Sequence, residues 1–92
     1  MAMATARHIL VETEEDCLKL KEEIEGGADF AFVAQQHSLC PSGRRGGGLG
    51  AFGQGQMVPE FDAAIFSGPL KQVLGPVQTG FGFHLIEVIK RW

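Results

Sequence analysis

The chain has no run of apolar residues approaching the ~20 that a helix needs to cross a bilayer. It also lacks an excess of positive charge. Its 8 Lys and Arg stand against 11 Asp and Glu, for a formal charge of −3, so no overall basic field points to nucleic acid. Cysteine is scarce: Cys17 and Cys40 are far apart, form no Cys-x-x-Cys pair, and match no Cys/His spacing of a zinc site. A thiol-redox protein and a metal centre are therefore disfavoured, two free thiols are expected rather than a disulfide, and no cofactor is expected. The opening Met1–Arg7 has no apolar core of a secretory signal, so a cytoplasmic location is expected. No repeat or low-complexity linker occurs. With 92 residues, 45% hydrophobic and 21% charged, the expectation is one soluble domain over 1–92, acting as a monomer without nucleic acid or membrane as partner.

Thr5–Val11 is rich in apolar residues on both alternating faces, His8 and Leu10 on one and Arg7, Ile9 and Val11 on the other, which predicts a central strand covered on both sides. Thr13 followed by Asp16 is an N-cap signature, and a helix is expected to run to about Glu25, with Cys17, Leu20 and Ile24 as its buried stripe and Gly26-Gly27 as its stop. Asp29 caps a second helix whose stripe is Phe30, Val33, Ala34 and His37, the histidine read as structural. Pro41 opens a short helical turn that ends at Gly43 or Gly46. Leu49–Phe52 predicts a short strand and Pro59–Phe66 a helix. Gly75–Thr79 predicts an edge strand, joined by the turn Gly80-Phe81-Gly82 to a last strand, Phe83–Arg91. His84, Ile86 and Val88 share one face of that strand. The order predicts an α+β domain with helices on a small, mainly antiparallel sheet.

Residues 43–55 hold seven of the thirteen glycines. The run Gly43–Gly50 lacks the Lys-Ser/Thr ending of a phosphate loop and follows no strand, so that reading is rejected, and Arg44-Arg45 reads as an exposed pair. Just beyond, Leu49, Phe52, Met57 and Phe61 are large apolar residues in a glycine-rich setting. Met57 and Phe61 are one helical turn apart, so a helix starting near Pro59 lets both face one way. Such residues either fill a core or form an apolar cup for a compact group with no donor to satisfy, such as a proline ring.

Five segments then fall into a pattern. His8-Ile9-Leu10-Val11, Cys40-Pro41-Ser42-Gly43, Gly46–Phe52, Gly55–Phe61 and Thr79–His84 stand in the order and spacing of the parvulins, so the chain resembles these small rotamase-type peptidyl-prolyl cis/trans isomerases over nearly its whole length, and most of all the small stand-alone bacterial parvulin. The resemblance implies an FKBP-like superfold: a four-stranded sheet wrapped by about four helices, with the first strand in its middle. It implies that Leu49, Met57 and Phe61, together with Phe52, form a prolyl pocket with Phe81 at its rim. It further implies a catalytic group of His8 and His84 on neighbouring strands, Thr79 bonded into that pair, and Cys40 at the groove. The chain departs from the family where many relatives carry an acidic residue before Leu49-Gly50, since Gly48 stands there. It departs from the phosphate-directed branch too, with Glu12-Thr13-Glu14-Glu15-Asp16 in place of a basic cluster. An acidic loop repels phosphate, so no phosphoserine or phosphothreonine preference is expected.

For the two histidines three roles stay open: a hydrogen-bonded pair that shapes the groove, direct acid/base work, or core filling. Cys40 is either a thiolate nucleophile or, the preferred reading, a weakly polar group that tunes the field beside the substrate carbonyl. The expected function is isomerisation of Xaa-Pro bonds in unfolded or flexible chains. The rival is a module that only binds proline-containing segments.

Overall fold

A computed structural model describes residues 2–92. Strand β1 (Met3–Val11) leads into helix α1 (Glu14–Glu25), helix α2 (Phe30–His37) and a 3-10 turn (Pro41–Arg45). Strand β2 (Gly48–Gly53), helix α3 (Pro59–Ser67) and strands β3 (Val73–Thr79) and β4 (Gly82–Arg91) complete the chain. Both capping expectations hold: Thr13 Oγ1 accepts the Asp16 N–H at 3.2 Å and Asp29 Oδ2 accepts the Phe32 N–H at 3.1 Å. Pro59 opens α3 as its first helical residue, where a missing N–H costs no hydrogen bond.

The four strands form one sheet in the order β2-β1-β4-β3, every pair antiparallel. The expected α+β fold is thus present, with three α-helices and one 3-10 turn around the sheet. Strand β1 lies inside the sheet because both of its faces are apolar. On one face Ile9, Val11 and Leu85 pack with Cys17, Leu20, Phe30, Val33 and Ala34 under α1 and α2. On the other, Ala4, Ala6, Ile86 and Val88 pack with Phe52, Phe61 and Ile65 under α3. The period of two puts His8 and His84 on this second face, beyond the end of its apolar cluster.

Two expectations need correction. His37 does not close the stripe of α2; it is exposed, because the chain leaves the helix there and Ser38 turns back toward β1, its Oγ accepting the Leu10 N–H at 3.1 Å. Strand β3 begins at Val73 rather than Gly75, since Val73 and Leu74 already pair with Glu87 and Ile86.

Candidate active site

His8 on β1 and His84 on β4 are buried, and their rings lie nearly parallel with centroids 5.2 Å apart. Their Nδ1 atoms are 3.0 Å apart, a hydrogen bond in which one ring donates and the other accepts. Outward from this pair, His84 Nε2 meets Thr79 Oγ1 at 2.8 Å and His8 Nε2 meets Ser42 Oγ at 3.2 Å. The Ser42 hydroxyl donates to Cys40 Sγ at 3.2 Å, and the Phe81 N–H donates to Thr79 Oγ1 at 3.2 Å. The chain of bonds therefore runs Thr79–His84–His8–Ser42–Cys40 without a break.

Proton counting gives one self-consistent set of directions. With Ser42 donating to sulfur, its oxygen accepts from His8 Nε2–H. His8 Nδ1 is then bare and accepts from His84 Nδ1–H, and His84 Nε2 accepts from the Thr79 hydroxyl. Every ring nitrogen is satisfied with both imidazoles neutral, and the hydrogen of the Cys40 thiol stays free. Burial supports neutrality. It pushes the His8 pKa down to about 4, helped by the neighbouring His84, and it lowers His84 as well.

Above the pair lies an open cavity of about 400 Å³, large enough for a proline ring and parts of its neighbours. Leu49, Met57 and Phe61 line it together with Leu10, Pro41 and Val58. Leu39 and Phe81 stand at its mouth, 62% and 75% exposed. Among the described residues, its only polar side chains are His8, His84 and Cys40. Phe61 sets its ring at 83° to both imidazoles, with centroids 5.4 and 5.3 Å away, and so joins cavity to histidine pair.

The glycine-rich loop makes this assembly possible. Gly47 has φ +86°, and a Cβ there would collide with the His8 carbonyl oxygen; its own carbonyl accepts the His8 N–H at 2.9 Å. The loop backbone thus lies directly against the strand residue that carries the imidazole.

The structure gathers His8, Cys40, Thr79, His84, Leu49, Met57, Phe61 and Phe81 around one site, but Phe52 does not line the cavity. Strand β2 advances from Gly48 to Ala51 while β1 advances only from Arg7 to Thr5, so β2 carries one extra residue, a bulge that includes Gly50 at φ +73°. The bulge turns Leu49 and Phe52 to the same face. Phe52 then lies further along the strand, 4% exposed, edge-on to Phe66 of α3 at 6.2 Å. Sequence reasoning missed Ser42, the link between His8 and Cys40. The signal was its place two residues after Cys40 at a proline-started turn, which folds a hydroxyl back toward its neighbour.

The chain resembles known proteins over nearly its whole length. The family model for the rotamase, or PPIC-type PPIase, domain matches residues 5–90. The foldase protein PrsA of Halalkalibacterium halodurans is 44% identical over 87 residues, covering 94% of this chain and 26% of that protein. The crystal structure of the peptidylprolyl isomerase PrsA from Bacillus anthracis superposes with a TM-score of 0.96 at 35% identity, over 99% of this chain and 42% of that one. The solution structure of NmPin, the parvulin of Nitrosopumilus maritimus, gives 0.87 at 30% identity over 98% of both chains. The chain spans between a quarter and a third of the length of the PrsA relatives it matches.

Proposed function

The chain belongs to the parvulin family as a PPIC-type peptidyl-prolyl cis/trans isomerase domain, and on that premise we propose that its cavity turns over Xaa-Pro bonds in unfolded or flexible polypeptides and so assists their folding. The observation that carries this reading is an apolar, proline-sized cavity floored by two buried, neutral histidines.

The amide resists rotation by about 18–20 kcal/mol because resonance makes its C–N bond partly double. Spontaneous exchange takes about 10–100 s. Turnover at about 10–1000 per second requires lowering that barrier by roughly 3–7 kcal/mol, and no bond need break to achieve it. Leu49, Met57 and Phe61 hold the ring while the preceding carbonyl swings. The twisted amide has less charge separation than the planar one, so a site with few polar groups favours it relative to water. Neutral imidazoles serve this purpose, whereas an imidazolium would bring charge and water. Cys40 lines the cavity, and with Ser42 donating to its sulfur the thiol hydrogen is left to act on the carbonyl without covalent attack.

Phosphate is not part of the recognised motif. Glu12, Asp16 and Glu23 line a neighbouring hollow that shares Leu39 with the cavity, against a single ammonium, that of Lys19. That excess of carboxylates supports a substrate without a phosphorylated residue before the proline. A cytoplasmic setting and a monomeric state belong to the same proposal; the free thiols Cys17 and Cys40 support the first.

Exchange NMR on a short Ala-Xaa-Pro-Phe peptide tests the activity. Cis and trans signals should show accelerated interconversion when the protein is added in catalytic amounts. Peptide binding with interconversion at its spontaneous pace would replace the isomerase by a module that only holds proline segments.

A further inference from the structure

Across the wall formed by Leu39, Cys40 and Pro41 lies a second hollow of about 320 Å³, completed by Gln35, Ser38, Gly43 and Arg44. The same three wall residues line the prolyl cavity, so the two hollows adjoin across them. Its polar groups are donors in excess. Ser38 Oγ accepts the N–H groups of Leu10 at 3.1 Å and Cys40 at 3.3 Å, which occupies its lone pairs and leaves its O–H to donate. Gln35 adds an amide. Arg44 adds a guanidinium that takes part in no ion pair or hydrogen bond among the described residues, where Arg7 pairs with Glu87 and Arg91 bonds the carbonyls of Ile65 and Gly68. Among the described residues, no carboxylate lines the hollow.

We infer that this hollow is an accessory subsite for the carboxylate side chain of an Asp or Glu within two residues of the substrate proline. The size admits one side chain, and the fork of Arg44 suits a carboxylate. On the other side of Leu39 a hollow carries the carboxylates Glu12, Asp16 and Glu23 beside Lys19 and His37, and that excess of negative charge directs the acid to the Arg44 side. The inference rests on the isomerase reading for the peptide's position, but binding tests it separately.

The test uses peptides blocked at both ends, which removes the terminal carboxylate as a rival source. Glu, Gln and Lys are placed in turn at the two positions on either side of the proline, and affinity by fluorescence polarisation and exchange by NMR are measured for each. At one position Glu should exceed Gln by about fivefold in affinity, the size of one partly exposed ion pair. Raising the salt to about 1 M should shrink that ratio. In Arg44→Gln the ratio should fall to one, and in Arg45→Gln it should persist. A Glu/Gln ratio near one at all four positions, or one that survives Arg44→Gln, overturns the subsite. Bound peptide without accelerated exchange overturns the isomerase reading alone.

Discussion

The two faces of the sheet are built from the same two strands and reach different ends. Under α1 and α2 two helices cover the cluster, and Ile9, Cys17, Ala34 and Leu85 are fully buried. Under α3 one nine-residue helix covers only part of the face, and the uncovered part becomes the cavity with the histidine pair at its floor. The cysteines repeat the contrast. Cys17 is fully buried, and burial pushes its thiol up to about 11, so it behaves as a small hydrophobe. Cys40 lies at the edge of the cavity and accepts from Ser42. The difference teaches that the site follows from incomplete cover of an ordinary hydrophobic face rather than from a special element.

The largest effect that sharpens this contrast is on stability. Leu85→Ala on the two-helix face should cost about 2–5 kcal/mol in urea unfolding, because it leaves a cavity at a fully buried position. Met57→Ala at the half-buried cavity wall should cost under about 1 kcal/mol of stability. Its kcat/KM should nevertheless drop about 10–100-fold, or roughly 1.4–2.7 kcal/mol. Equal stability losses at the two positions, or unchanged turnover in Met57→Ala, would break the comparison.

Acid should act on the open face next. His8 is neutral in the fold until pH falls to about 4, whereas an unfolded chain takes up that proton near 6.5. Between these values the unfolded state binds more protons, so stability present above pH 6.5 is progressively lost on the way down, by up to about 3 kcal/mol. Urea midpoints measured from pH 7 to pH 4 should follow that slope, and His8→Asn should flatten it. A midpoint that rises with acid would show the pair to be held charged.

The smallest effect concerns the thiols. Cys40 should be alkylated in the native protein and Cys17 only after unfolding, as mass spectrometry can resolve. Cys40→Ser should keep clear activity; complete loss in an intact fold would make the thiol a nucleophile after all.

Much of the architecture was legible because it depends on local rules. Thr13 and Asp29 announce helix starts, Pro59 another, and the alternation in Thr5–Val11 and Phe83–Arg91 assigns faces to the histidines before any coordinates exist. Resemblance to the parvulins brought Leu49, Met57, Phe61, Cys40 and Thr79 to the same place. The misreadings lie where local pattern yields to tertiary pairing. The bulge at Gly50 carries Phe52 away from the cavity, and Ser38 draws the chain off α2 so that His37 faces solvent.

Sequence by itself therefore determined which residues are apolar on which face and where helices begin, and the resemblance to the parvulins implied that two histidines would lie on neighbouring strands. Only the tertiary structure decided that Ser42 closes the bonded chain to Cys40, that Phe52 belongs to the core, and that Arg44 opens onto a hollow beside the cavity. The physical reason is that capping and periodicity act within a few residues of the chain, whereas hydrogen-bond partners and gaps in packing are set by segments that meet only after the sheet has formed.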